Sequence, residues 1–154
     1  MSHSPRLPKI GFYCSSISWG GLEMNTLRYA KAFQSEGFQV KVYLVEGTTL
    51  FQHAIELELP VISIERNKKY FDFTRARLVA KQFEKDEIDI VHFRDNRDLD
   101  FLGWAKFFSS RKIKLIYHQA MQLGVSKKDF LHTLRFKRVD AWVSTLNYMH
   151  QQVL

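Results

Sequence analysis

Apolar positions along the chain follow two spacings in turn, and this change of spacing predicts alternating strands and helices. Short apolar runs predict six strands, at residues 9–14, 39–45, 60–64, 88–93, 113–118 and 141–145. Between them apolar residues recur every three or four positions, which predicts helices over residues 22–36, 50–58, 72–85, 98–109 and 126–138 and the start of another at 147. The predicted fold class is therefore α/β, a Rossmann-like parallel sheet sandwiched by helices.

Glycine and short polar residues mark the expected ends of these helices. Gly37 is expected to stop the first long helix in the left-handed conformation. Asp72 and Asp98 precede helical patterns, and their side chains are expected to cap them. Ser126 and Asp129 have the spacing of a capping box. These signals place the loops between strands and helices.

The length of 154 residues fits one domain, and no apolar run approaches the length of a membrane span. We expect residues 1–8 to be a disordered lead-in and residues 9–154 to form the domain. Because Leu154 falls inside a predicted helix, we expect that the chain is truncated. The single Cys14 lies in a predicted buried strand, which fits an inert core thiol in a reducing cytoplasm.

The net charge of +7 is concentrated in the last third of the chain, where residues 104–154 carry nine Lys or Arg and two Asp or Glu. Such a one-sided excess suggests a surface that meets phosphates, nucleic acid or an acidic membrane. The helix predicted over 126–138 is either a core-facing helix with a basic wet side or a helix lying against an anionic membrane. Its candidate membrane-facing residues are Lys127, Lys128, Arg135, Lys137 and Arg138.

Parallel sheets bind ligands at the carboxyl ends of their strands, so the loops at those ends are the places to look for a site. The first such loop holds Gly20 and Gly21 directly before a helix. Paired glycines at that place either let the chain turn or let the backbone approach an anion at the helix N-terminus. The loop is neither G-x-G-x-x-G nor a P-loop, so neither of the usual nucleotide-binding motifs is present.

Several segments taken in order resemble glycosyltransferase family 4, also called group 1. They are Gly-Gly-Leu-Glu at 20–23, Glu-Gly-Phe-Gln-Val at 36–40, Asp-Ile-Val-His-Phe-Arg-Asp at 89–95, Leu-Ile-Tyr-His-Gln at 115–119 and Val-Asp-Ala-Trp-Val-Ser at 139–144. Members of this family are retaining enzymes with the two-domain GT-B fold. The resemblance covers roughly residues 9–154 and implies the amino-terminal, acceptor-side domain, with the carboxy-terminal donor domain absent.

The resemblance also implies roles for particular residues. Gly20, Gly21 and Glu23 match the loop near the donor diphosphate, and His118 matches the strand-end histidine that faces the active site. Arg94 stands where the family usually has a second histidine after His92, and a permanent cation there suits a phosphorylated or acidic acceptor. The polar residues around it are either a solvated loop or acceptor contacts, and our acceptor-binding candidates are Arg94, Asp95, Asn96 and Gln119.

The predicted function is transfer of a sugar from a nucleotide-sugar donor to a cell-surface glycan, such as a polysaccharide or lipopolysaccharide, or to a lipid-linked acceptor. This chain alone would be the acceptor-binding half of a hexosyltransferase and would be inactive. We expect no cofactor, no metal and no nucleic acid, and a cytoplasmic protein that can lie on the inner face of the membrane. The alternatives are a stand-alone Rossmann-like binding module and a basic nucleic-acid-binding domain, which would need exposed aromatics such as Phe130 and Phe136 beside the basic residues.

Overall fold

A computed structural model describes residues 6–68, 71–120 and 136–144 of the chain. The described residues form a six-stranded sheet in the order β3-β2-β1-β4-β5-β6, and every neighbouring pair of strands is parallel. The strands are β1 (Ile10–Cys14), β2 (Val40–Val45), β3 (Val61–Ile64), β4 (Ile90–Phe93), β5 (Lys114–Gln119) and β6 (Ala141–Ser144). This confirms the predicted fold class and all six strands.

Helices connect the strands, as the apolar spacing predicts. They are α1 (Gly21–Ser35), α2 (Thr49–Glu56), α3 (Phe73–Lys85) and α4 (Leu99–Phe108), with a 3₁₀ turn at Asn96–Asp98 before α4. Most of the helix predicted over 126–138, and the one predicted from 147, lie outside the described residues.

The sheet separates two hydrophobic cores, because alternate residues of β1 point to opposite faces. Phe12 and Cys14 face α1 and α2, whereas Tyr13 faces α3 and α4. Cys14 is buried within the first core, and burial raises the pKa of its thiol, which makes it a poor nucleophile. The fold therefore leaves the ends of the strands, and not their faces, for contact with ligands.

The predicted helix ends are partly confirmed. Gly37 has φ +89°, the left-handed conformation expected of a helix stop. The side-chain caps predicted at Asp72 and Asp98 are wrong, although both residues occupy N-cap positions. The Asp72 carboxylate accepts hydrogen bonds from the Lys68 N–H and from Arg75 instead, and the Asp98 carboxylate accepts from Ser15 in the loop after β1. Nearby residues bind the Asp72 carboxylate, and a residue far away in the sequence binds that of Asp98.

The order of the strands predicts a ligand-binding crevice at one edge of the sheet. From β1 the chain moves outward to β2 and β3 and then returns to β4 on the other side of β1. Connections diverge at this point, and in open parallel sheets ligands bind beside the carboxyl ends of the strands there. We call this region the carboxyl crevice; it is bordered by the ends of β1, β4 and β5.

Candidate functional site

The loop after β1 delivers the paired glycines to the start of α1. Gly20 is the N-cap residue, with extended backbone (φ −164°), and Gly21 is the first helical residue. No side chain caps this end of the helix, and the first N–H used within it belongs to Met24, which donates to the Gly20 carbonyl. The N–H groups of the first turn are therefore available to an anion at the carboxyl crevice.

Neither glycine is required by the fold of the described residues. A Cβ atom added at Gly21 would meet nothing within 4 Å, and one added at Gly20 would meet only Glu23 Oε2, at 3.4 Å. Neither backbone is in the left-handed region that favours glycine. The two glycines therefore serve neither a strained turn nor close packing in this structure.

Glu23 organises this loop from inside. Its side chain is buried and accepts a hydrogen bond from Ser16 Oγ at 2.5 Å. Ser16 Oγ in turn accepts from the Ser18 N–H at 3.2 Å. The role of Glu23 in the diphosphate loop stays a prediction, and its contacts show how it can act: by holding the loop in shape.

Trp19 lies beside the glycines and is 41% exposed. Its ring stacks on His53 of α2, with ring centroids 4.4 Å apart and an interplanar angle of 14°. Leu22, on the other side of the glycines, is half-buried and packs on the core beneath α1. The glycine loop is thus flanked by one exposed aromatic and one anchored aliphatic side chain.

The second polar group of the crevice is formed by His92, Arg94, His118 and Tyr29, here called the Arg94 cluster. Phe93 of β4 pairs with Tyr117 of β5, so the next residues, Arg94 and His118, lie side by side. Arg94 Nη1 is 3.1 Å from His118 Nδ1, and the guanidinium lies over the Tyr29 ring, 5.1 Å from its centroid. The structure therefore brings the predicted Arg94 and His118 into direct contact.

Both histidines of the Arg94 cluster are neutral at physiological pH. Burial, reinforced by the charges of His118 and Arg94, lowers the pKa of His92 to about 3. Burial, reinforced by Arg94, lowers the pKa of His118 to about 4. His92 packs between the rings of Phe12 and Tyr29, at centroid distances of 4.9 and 5.9 Å. The cluster carries its positive charge on Arg94 alone.

The other acceptor candidates have different surroundings. Asp95 is buried and binds Arg97, accepting from its backbone N–H at 2.9 Å and its guanidinium at 2.6 Å. Gln119 is fully buried, and its Oε1 accepts from Trp142 Nε1 at 3.0 Å. Asn96 is exposed at the start of the 3₁₀ turn. Their acceptor role stays a prediction, and in this structure Asp95 is paired with Arg97 and Gln119 with Trp142.

Asp98 is a residue that the sequence pattern misassigned, and it links three loops of the crevice. It is completely buried and accepts hydrogen bonds from the Ser15 hydroxyl, from the Ser15 N–H at 3.2 Å and from Asn67 Nδ2 at 3.0 Å. Asn67 also accepts from the Tyr13 hydroxyl at 2.7 Å. Burial, reinforced by the Asp95 charge, raises the pKa of Asp98 to about 7. The sequence around Asp98 indicates only a helix cap, and nothing in it indicates that the carboxyl is buried.

Of the candidate membrane-facing residues, Lys127, Lys128 and Arg135 lie outside the described residues, as does Phe130. Lys137 is exposed, and the Arg138 guanidinium lies over the Trp104 ring, 4.3 Å from its centroid. Phe136 packs against Trp142, with ring centroids 4.7 Å apart. Because Phe136 belongs to the core beneath α4, it is not a free stacking platform for nucleic acid.

The described residues hold neither a metal-ligand cluster nor a membrane-spanning helix. Within 6–68, 71–120 and 136–144, no three His, Cys, Asp or Glu side chains come together as a metal-ligand set. No helix in those ranges is long and apolar enough to cross a bilayer.

Comparison with known proteins identifies a sequence family. Residues 19–154 match the sequence model of the family described as Glycosyltransferase Family 4. Comparison with curated proteins gives no match.

Solved structures share the fold. A glycosyltransferase from Rickettsia africae ESF-5 has a TM-score of 0.72 at 22% identity, over 96% of this chain and 39% of that one. Anabaena Alr3699/HepE, solved with UDP and glucose, has a TM-score of 0.71 at 15% identity, over 94% and 40%. The lipopolysaccharide outer core galactosyltransferase WaaB, in its apo form, has a TM-score of 0.71 at 15% identity, over 94% and 41%. The chain spans about two fifths of the length of each of these structures.

Proposed function

The chain belongs to glycosyltransferase family 4, and from this premise we propose that it is the acceptor-binding, amino-terminal domain of a retaining GT-B glycosyltransferase of the hexosyltransferase type. In the full-length protein, a sugar passes from a nucleotide-sugar donor to a cell-surface glycan or a lipid-linked acceptor. The family accounts for a glycosyltransferase module. The nucleotide-sugar donor, the type of acceptor and the retention of configuration are what we propose beyond the family.

The observation that carries the proposal is that Gly20 and Gly21 are glycines without a structural need. Glycine is less favourable than alanine in a helix, by up to about 1 kcal/mol in its interior, and the space for a methyl group is open at Gly21. A ligand that approaches the backbone closely explains the absence of side chains there. The donor diphosphate fits this description, because the helix N-terminus offers it free N–H groups and a positive dipole end.

The chemistry assigned to this half is positioning and electrostatic stabilisation. In a retaining transfer the nucleoside diphosphate departs and the acceptor hydroxyl attacks the same face of the sugar. The amides at Gly21 and Leu22 stabilise the negative charge that grows on the departing diphosphate. His118, at the end of β5, hydrogen-bonds the transferred sugar or the acceptor hydroxyl and holds it for attack.

Two of the structural neighbours support the class of donor and product. Alr3699/HepE was solved in complex with UDP and glucose and with UDP-glucose, and WaaB is described as a galactosyltransferase of the lipopolysaccharide outer core. Since those chains are more than twice as long as this one, we assign most donor contacts to a second half. The 154-residue chain is therefore expected to bind sugar nucleotides weakly and not to turn them over, as calorimetric titration can measure; tight binding with turnover would contradict the two-half assignment.

The test of the proposed function uses two glycine substitutions in the full-length protein. Gly21→Ala is expected to change the free energy of unfolding by no more than about 1 kcal/mol, because the new methyl group has room. It is expected to lower sugar transfer about 100-fold, because the methyl group occupies the space of the diphosphate. The two readouts are a denaturant titration and the rate of nucleoside diphosphate release.

Gly37→Ala is the matched control, because Gly37 has φ +89° and also has open space around its Cβ position. It is expected to destabilise the protein by about 1 kcal/mol while leaving transfer by the folded protein unchanged. Unchanged transfer in Gly21→Ala would remove the donor loop from the proposal.

The basic end of the chain adds a membrane component to the proposal. Lipid-linked acceptors reside at a membrane surface, and Lys137 is exposed to meet it. Lys127, Lys128 and Arg135 have the same sign of charge and lie in the same segment of the sequence. We assign this segment to reversible contact with anionic lipid on the cytoplasmic face.

A further inference from the structure

The Arg94 cluster holds polar atoms that have no hydrogen-bond partner among the described residues. His92 Nδ1, Arg94 Nε and His118 Nε2 are buried, and no group in residues 6–68, 71–120 or 136–144 donates to them or accepts from them. Their side chains belong to residues that are 8%, 6% and 4% exposed. An unpartnered buried polar atom is costly and uncommon in native proteins, and three of them on neighbouring side chains point to a ligand.

The contact between Arg94 and His118 determines the tautomer of His118 and therefore which atoms can donate to that ligand. A guanidinium has only donors, so His118 Nδ1 must accept from Arg94 Nη1, 3.1 Å away. The imidazole proton of the neutral ring is then on Nε2. The unpartnered His118 Nε2 and Arg94 Nε are consequently both N–H donors, and the ligand must present acceptor oxygens to them.

The charge of Arg94 is also unmatched among the described residues. No carboxylate in residues 6–68, 71–120 or 136–144 forms an ion pair with it; its described contacts are His118 and the face of Tyr29. The neighbouring Asp95 is already paired with Arg97 at 2.6 Å. A buried guanidinium without a counter-charge is unfavourable, so the ligand that completes the cluster is an anion.

We propose that the Arg94 cluster binds an anionic group, a phosphate or a carboxylate, that is carried by the acceptor substrate. This proposal rests on the proposed function of the domain. The anion accepts a hydrogen bond from Arg94 Nε–H, and His118 Nε2–H donates to a hydroxyl oxygen of the same acceptor. Arg94 has a second role as a positioning residue, because its bond to Nδ1 holds His118 in the tautomer that donates from Nε2.

The position of Tyr29 separates this subsite from the donor diphosphate loop. Tyr29 follows Gly21 by just over two turns of α1, about 12 Å along the helix axis. Arg94 and His118 both pack on the Tyr29 ring, at 5.1 and 4.9 Å. The diphosphate is assigned to the first turn of the helix, and a second anion in the Arg94 cluster therefore belongs to the other substrate.

Nitrogen-15 NMR of the histidine rings in the 154-residue chain tests the proposal without any transfer reaction. Without ligand, His118 is expected as the Nε2–H tautomer. Inorganic phosphate, glucuronate and glucose are then titrated separately. Phosphate or glucuronate is expected to shift the His118 Nδ1 signal through its hydrogen bond from Arg94, and neutral glucose is not. Tighter binding of phosphate identifies a phosphorylated acceptor, and tighter binding of glucuronate identifies an acidic sugar.

Arg94→Gln is expected to weaken anion binding at least about tenfold and to abolish the tautomer preference. Arg28→Gln is the matched control: Arg28 is exposed on α1 next to Tyr29, and its loss is expected to change neither readout. Should Arg94→Gln fail to fold, Arg94→Lys replaces it, since lysine keeps the charge but lacks the Nε–H donor. Weaker anion binding in Arg94→Lys supports the proposal, and unchanged binding overturns it.

Three results would overturn the inference: neither anion shifts His118, Arg94→Gln binds the anions as wild type does, or UDP occupies the cluster more tightly than phosphate. The last result would assign the site to the donor. Each is distinguishable from failure of the proposed function, because Gly21→Ala and nucleoside diphosphate release report on the donor loop and not on the Arg94 cluster.

Discussion

Replacing the buried Asp98 by asparagine is expected to remove a specific dependence of stability on pH. Burial raises the pKa of this carboxyl from 3.8 to about 7. Between these values the folded protein retains a proton that the unfolded chain has released. Stability from this group is therefore greatest below about pH 4 and falls as the pH rises towards 7. A change of this size corresponds to about 4 kcal/mol of unfolding free energy.

Asp98→Asn resembles the protonated carboxyl and can keep the network. The new amide oxygen can accept from the Ser15 N–H, and its NH₂ group can donate to the Ser15 hydroxyl. The Asn67 amide then needs to rotate, so that it donates to the Tyr13 hydroxyl. The substitution thus removes the ionisation, but it leaves the buried Tyr13 hydroxyl hydrogen without its acceptor on Asn67, a cost that does not depend on pH.

The assay is urea unfolding of wild type and Asp98→Asn at intervals from pH 4 to 8. The wild-type free energy of unfolding minus that of the variant is expected to fall by about 4 kcal/mol over this range. The lowered pKa values of His92 and His118 act in the opposite direction, but they are common to both proteins and cancel in the difference. Parallel stability curves for the two proteins would refute the raised pKa.

Asp86→Asn is the control with the opposite sign. Although burial opposes it, hydrogen bonds from Lys41, Gln82 and Tyr43 lower the pKa of Asp86. Its carboxylate therefore stabilises the protein above about pH 4, and that stability is lost as the pH falls through the lowered pKa. With the titration extended to about pH 2, the difference between wild type and Asp86→Asn is expected to shrink below about pH 4, whereas the difference for Asp98→Asn falls as the pH rises from about 4 to 7.

Three further predictions concern packing, hydrogen bonding and the membrane. Gly11→Ala is expected to destabilise the protein by about 1–3 kcal/mol in urea, because the new Cβ would lie 2.9 Å from a Tyr43 ring carbon; a loss no larger than that of Gly21→Ala would contradict it. Tyr43→Phe is expected to cost about 1.5–3 kcal/mol, because its buried hydroxyl donates to Asp86 at 2.8 Å, and a neutral effect at pH 7 would count against that bond. Lys127→Glu with Lys128→Glu is expected to reduce sedimentation with phosphatidylserine vesicles but not with phosphatidylcholine vesicles, and equal sedimentation of wild type and variant would exclude this segment from membrane contact.

The strands, the helices and the edge of the sheet could be predicted because each depends on local patterns. Apolar runs in β1 and β4 and the three-residue repeat in α1 determine the period, and parallel strands bring their carboxyl ends to one edge. The proximity of Arg94 and His118 follows from two strand ends that turn out to be neighbours. The fold class and the edge of the sheet that carries Arg94 and His118 can therefore be predicted from the sequence and the rule for parallel sheets.

The partners of buried polar side chains could not be predicted in this way. Asp98 has the local signature of a helix cap, but its carboxylate accepts a hydrogen bond from Ser15, which lies 83 residues earlier in the chain. Gln119 looks like an open strand-end residue, but Trp142 of β6 donates to it. Tyr29 follows the apolar pattern of α1 only loosely, yet its ring supports the Arg94 guanidinium. Such contacts depend on the register of the sheet, which the sequence pattern does not give.

We propose that the carboxyl crevice holds the acceptor side of a sugar-transfer site and that His118 is part of that site. The most direct measurement is glycosyl transfer by the full-length protein from a panel of nucleotide sugars, for wild type and His118→Ala, with the anomeric configuration of the product read by NMR and the free energy of unfolding measured in parallel. We expect transfer with retention from at least one donor, and a loss of about 100-fold in His118→Ala that is much larger than its loss of stability accounts for. A product of inverted configuration, or an equal fall of transfer and folded fraction in His118→Ala, would contradict it.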